Sequence, residues 1–156
     1  MTYHGDTLYF GRITGALYRM DPSSGISTQV ASTGIHLAGI DFNPVTGVLW
    51  ASTCPFSECG VNNNNIYKIT LPSGAKTLVG NAGLSAPILD IAFDANGNLF
   101  AIVGTSPQSS IAIIDTATGG GTIFGTLGIQ DAKALAFSPG TSDRKASCRE
   151  RVCYPV

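Results

Sequence analysis

The chain has 156 residues, of which 44% are hydrophobic and 12% charged, and its formal net charge is -1. That length fits one domain. So few charges, beside much Gly, Ser, Thr and Asn, suit short strands and turns better than surface helices. The near-neutral charge, with no aromatic-interleaved basic patch before residue 140, argues against a nucleic-acid partner. No apolar run reaches the ~20 residues of a membrane span, and "MTYHGD" has neither the charged nor the apolar region of a secretion signal.

In chain order, short apolar-alternating segments return in a fixed sequence. "TLYFG" (7–11), "ALYRMDPSSG" (16–25) and "STQVA" (27–31) come first. "LAGIDF" (37–42), "VLWAS" (48–52), "NIYKITLPSG" (65–74) and "AKTLVG" (75–80) follow. Then come "ILDIAF" (88–93), "NLFAI" (98–102), "SIAIIDTATG" (110–119) and "GTIFG" (121–125), and finally "AKALAF" (132–137). Four strand types emerge: A ends in Phe, B pairs Leu with an aromatic, C closes on a Gly turn, and D follows that turn. The chain reads B-C-D, A-B-C-D, A-B-C-D, A. Phe93 to Phe137 is 44 residues and Phe42 to Phe93 is 51. A unit of about 44 residues holding four strands lies in the range of propeller blades. The expected fold is an all-β propeller fragment of about three four-stranded blades, over residues 1–140.

The turns have ordinary local chemistry: Asp caps, Pro presets φ, Gly takes the left-handed position. Asp21 and Asp115 are therefore read as turn-formers, and Tyr9, Trp50 and Phe100, at equivalent B positions, as inter-blade core. After "LAFSPGT" a further B strand is due, yet the chain runs "SDRKASCRERVCYPV", with four of the nine Lys and Arg. Residues 141–156 are read as a disordered or non-native tail, to which no function is attached.

"ILDIAFDANGNLFAIVG", "SIAIIDTATG" and "IYKITLPSGAKTLVG" resemble the blades of bacterial β-propellers of the NHL, YVTN and gluconolactonase-like kind, over about residues 7–139. The resemblance implies the fold and leaves the activity open, because such propellers include lactonases, lyases and binding modules. The Glu, Asn and Asp metal ligands of the lactonase-like enzymes have no matching motif here. No cofactor is expected; calcium would enter only with ligands from other blades of a complete propeller.

Cys54 and Cys59 stand in "CPFSECGVNNNN", the stretch that lengthens the repeat. A four-cysteine zinc site with Cys148 and Cys153 is permitted by spacing, but the second pair falls in the tail, and a C-x-x-C redox motif is absent. A loop-stapling Cys54–Cys59 disulfide is the preferred reading, implying an extracytoplasmic or secreted protein. In a propeller the B-to-C and D-to-A loops share one face, where ligands collect. The candidate binding groups on that face are His36, Glu58, Asn62, Asn63 and Asp131, with Asn64 and Asn65 in the same run and Asp90 on an A strand beside the channel. The alternative for His36 is an ordinary loop histidine, for Asp90 a strand cap, for the Asn run a polar loop tip.

No Ser-His-Asp order, catalytic carboxylate pair or phosphate-cradling Gly loop occurs. Asp90 has Gly39 and Ala134 at its equivalents, and Asp41 has Ala92 and Ala136, so no ring of ligands forms. A non-catalytic binding or scaffold propeller is expected, with a protein, glycan or small-molecule partner. A metal-assisted lactonase or lyase, its active-site residues largely in missing blades, is the alternative.

Overall fold

The computed structural model describes residues 1–53, 64–104 and 107–137. Twelve strands run β1 (Thr2–His4), β2 (Thr7–Gly11), β3 (Ala16–Met20), β4 (Ser27–Ser32), β5 (Leu37–Phe42), β6 (Leu49–Thr53), β7 (Asn65–Thr70), β8 (Ala75–Asn81), β9 (Ile88–Phe93), β10 (Leu99–Val103), β11 (Ser110–Ile114) and β12 (Gly121–Thr126). They form three four-stranded antiparallel sheets, β1-β2-β3-β4, β5-β6-β7-β8 and β9-β10-β11-β12. These are three successive propeller blades, each traced from A to D.

Two departures from the sequence reading concern A strands. The first blade has one, β1, where none was expected. Tyr3 pairs with Leu8 as Phe42 pairs with Leu49 and Phe93 with Leu99, so a tyrosine stands in the Phe position. Conversely, "AKALAF" forms no strand. It nevertheless occupies the place of one, because the Leu135 amide donates to Asp90 Oδ2 at 2.9 Å. The expected boundary at 140 and the tail 141–156 lie outside the described residues.

Consecutive blades are held by the same contacts repeated. At the hub, the B-strand aromatic of one blade meets the Phe of the next A segment. Tyr9 is edge-on to Phe42 at 5.1 Å, Trp50 to Phe93 at 5.6 Å, and Phe100 lies tilted against Phe137 at 5.2 Å. Such pairs add about 0.5–1.5 kcal/mol to the burial of their rings. Around them lie two apolar cores. Leu17, Leu37, Ile40 and Leu49 anchor the one between the first and second blades. Ile66, Ile88, Ile91 and Leu99 anchor the one between the second and third.

Farther out, the C–D pair of each blade carries a bulge at the same register. Its extra residue, Val30 or Val79, packs into the core of the seam. The outer strand then meets the C-to-D turn of the following blade. A Cβ on Gly74 would lie 2.5 Å from Ser32 O, and one on Gly80 would overlap the Thr118 carbonyl oxygen. The seam closes only because glycine leaves that space empty.

Candidate ligand-binding face

The residues that set the hub are carboxylates on A strands. Asp41, near the end of β5, accepts from three directions. Thr2 Oγ1 of β1 donates to Oδ1, the adjacent Phe42 amide donates to Oδ1 at 2.9 Å, and the Phe93 amide of β9 donates to Oδ2 at 2.6 Å. One half-buried side chain thus joins the A strands of all three blades. Asp90 repeats the arrangement one step on, accepting from Leu135. Burial pushes its carboxyl above the ordinary range, and the Leu135 amide partly opposes the shift. Between the two strands Gly39 is required for space, since a Cβ there would lie 2.5 Å from Ile91 N and 2.6 Å from Asp90 Oδ1. The bond to the Leu135 amide is the contact that a strand-cap role for Asp90 calls for.

Exposed aspartates in the A-to-B and C-to-D turns behave as turn-formers. Asp21 Oδ1 accepts from the Ser23 amide at 2.9 Å, Asp94 Oδ1 from Asn98 at 2.8 Å, and Asp115 Oδ1 from Ala117 at 2.8 Å. Hydrogen bonds hold all three carboxyls below their usual range, led by the Ser23 hydroxyl, the Asn98 amide side chain and the Ala117 backbone respectively.

On the B-to-C and D-to-A face the loops are tied within each blade by one repeated bond. Thr33 N donates to Gly15 O, Ala82 N to Asn64 O and Leu127 N to Ser109 O, each at 2.9 Å. In the second blade this tie becomes a cluster. Asn64 is buried; its Nδ2 donates to Leu84 O and Ala86 O at 3.1 and 2.8 Å, and its Oδ1 accepts from Ile88 N at 2.9 Å. Across the stem, Asn65 N donates to Thr53 Oγ1 at 3.0 Å, and the Asn65 and Asn81 side chains bond at 2.8 Å. Asn64 is therefore no loop tip: its amide replaces backbone partners the D-to-A loop lacks. Only the step in repeat length at this loop hinted at such a stem.

The other candidates separate. His36 is half-buried, immediately before β5, and Asp131 is exposed with φ 55, beyond β12. Glu58, Asn62, Asn63, Cys54 and Cys59 lie outside the described residues. Among the described residues no three His, Cys, Asp or Glu side chains converge as a metal set, and no helix is long and apolar enough to cross a membrane.

Concavities at the other face also repeat. A cleft of about 370 Å³ lined by Thr7, Arg19, Asp21 and Thr28 in the first blade has a counterpart of about 300 Å³ in the third, lined by Asn98, Ile113, Asp115 and Thr122. A third, about 380 Å³, lies between the first and second blades, where His4 stacks on Phe42 at 4.4 Å. All are formed by A-to-B and C-to-D turns, so they follow from blade geometry.

No family model matches the sequence, and no curated protein is a match to it. Solved structures do match, as β-propellers. Hydrazine synthase of Kuenenia stuttgartiensis superposes with a TM-score of 0.55 at 18% identity, over 78% of this chain and 35% of that one. A candidate 6-phosphogluconolactonase of Bacteroides fragilis gives 0.51 at 18%, over 83% and 38%. An auxiliary nutrient-binding protein of Bacteroides thetaiotaomicron gives 0.53 at 15%, over 81% and 31%. The chain has the β-propeller fold, and it spans about a third of the length of these propellers.

Proposed function

We propose that the protein is a non-catalytic binding propeller, working outside the cytoplasm. It takes a protein, glycan or small-molecule ligand on the B-to-C and D-to-A face. The observation that carries this reading is the stem of the 54–63 loop. Thr53 and Asn64 are buried, and hydrogen bonds tie the stem across itself and to the 84–88 segment. A long loop on a rigid base is how scaffolds commonly present a binding surface. Glu58, Asn62 and Asn63 belong to that loop, and His36 and Asp131 to its neighbours. A Cys54–Cys59 disulfide would pin its first half. Backbone amides of the neighbouring A segments engage both hub carboxylates, Phe93 N on Asp41 and Leu135 N on Asp90, as side chains that register strands would be. That one matching propeller is a nutrient-binding protein agrees with the same reading.

The test is a glycan and peptide array probed with the wild type and with a variant in which residues 55–62 are replaced by a Gly-Ser segment. Ligands bound by the wild type should be lost from the variant, while far-UV circular dichroism and the urea midpoint stay the same. Lactone turnover measured in parallel, or array hits indifferent to the replacement, would overturn the proposal.

A further inference from the structure

The three concavities share a position in the blade, yet the one between the first and second blades has different walls. The other two hold charged residues, Asp6, Arg19 and Asp21 in one and Asp115 in the other, and neither is lined by an aromatic ring. The third is lined by three ring side chains, His4, Tyr9 and Phe42, and by no carboxylate, lysine or arginine. Its floor is apolar: Phe42, Leu49 and Ile69 are all buried, while Val48, 36% exposed, reaches the surface beside them.

Two features of the first blade leave this cleft open. Residues 4–7 alone join Tyr3 to Leu8, where 43–48 join Phe42 to Leu49. The longer turn brings Val45 against the following blade. A Cβ on Gly97 would lie 3.2 Å from Val45 Cγ2, whereas one on Gly47 would meet only His4 Cε1, at 3.6 Å. The B-strand aromatic differs as well, since Trp50 is 3% exposed in its seam and the smaller Tyr9 is only half-buried in the first.

Within the cleft His4 stacks on Phe42 with 20° between the ring planes, and Tyr9 meets the same phenyl edge-on. Neither the His4 imidazole nor the Tyr9 hydroxyl has a hydrogen-bond partner among the described residues. A volume of about 380 Å³ stands at the small end of the range for ligand pockets, which are mostly apolar and aromatic with a few polar groups that fix orientation.

We propose that this cleft binds a small, uncharged, planar aromatic molecule of one or two rings. Its ring lies against Tyr9 and the His4–Phe42 stack, and a hydroxyl or carbonyl at its edge bonds to His4. Offset and edge-on ring contacts favour an aromatic over a saturated ring of the same size. A carboxylate would lose its water with no lysine or arginine among the lining residues to receive it. The site lies on the A-to-B and C-to-D face, so it stands apart from the loop face proposed above.

Calorimetric titration of the full chain at neutral pH with naphthol, its saturated counterpart decalol and naphthoate tests the site. Naphthol should bind one per chain with a Kd below ~1 mM, and the other two at least ~tenfold more weakly. Val48→Trp, which places an indole at the cleft, should abolish binding while the urea midpoint stays near that of wild type. His4→Ala should weaken binding by roughly two- to tenfold, the range for losing one ring contact. Replacement of residues 55–62 should leave naphthol binding as it is, which separates this site from the loop face. No saturable naphthol binding, decalol or naphthoate binding as tightly as naphthol, or binding indifferent to either substitution would overturn the proposal.

Discussion

Replacement of Asp41 by alanine tests whether one carboxylate binds the blades together. The change removes the acceptor of the Thr2 hydroxyl and of the Phe42 and Phe93 amides. Phe93 N sits between two packed blades, and an amide left unsatisfied there costs about 1–3 kcal/mol, with a hydrogen bond to a charged group worth about 1.5–3. The Phe42 bond is local and the Thr2 bond lies near the surface, so both are weighted lightly. A total of about 3 kcal/mol follows, a large part of the ~5–15 kcal/mol of a domain. With a urea slope of roughly 2 kcal/mol/M, the midpoint should fall by about 1.5 M. Asp41→Asn keeps one acceptor oxygen and should lose about half as much. Asp21→Ala, which deletes a solvent-exposed turn bond, should move the midpoint far less. An Asp41→Ala midpoint within ~0.3 M of wild type, on the same slope, would refute the view of Asp41 as the tie between three A strands.

Two further outcomes follow from the same region. Gly39→Ala should destabilise by about 1–3 kcal/mol in the same urea assay, because its Cβ meets the backbone of β9 at Ile91 N and Asp90 Cα as well as the Asp90 carboxylate. The Asp90 carboxyl is raised in the folded state by burial. The folded protein therefore holds that proton more tightly than the unfolded chain does. Its contribution is fully present below the ordinary carboxylate value and is lost as pH rises through the raised one. Asp90→Asn, which can still accept from Leu135, should flatten this fall in urea midpoints measured from pH 3 to 7; an unchanged slope would contradict the assignment.

Much of the architecture was legible because each strand type has its own composition. "LAGIDF" and "ILDIAF" coincide with β5 and β9, and the Gly turns after the C strands fall where they were expected. What escaped was fixed by neighbours rather than by local pattern. β1 is three residues long and carries tyrosine in place of phenylalanine, so nothing within it signals a strand until β2 is seen to need a partner. "AKALAF" has the right pattern, but a strand requires a second one, and no B strand follows it among the described residues. The site was less legible. Asp41 and Asp90 reach amides 52 and 45 residues away, which no local spacing encodes. Asn64, fourth in a polar run, looked like surface and proves to be a buried peg; the cue lay in the period that lengthens around it.

The carboxylate shared at the hub also separates two kinds of change in such a protein's history. Asp41 and the apolar seams register the blades from the axis, while at the rim backbone ties and, in the second blade, the Asn64 cluster hold only the loop stems. A lineage can then lengthen one rim loop, as between Thr53 and Asn64, and sample new surfaces there while the blades keep their alignment. Diversity at the mouth and constancy at the axis are two sides of the same placement of charge.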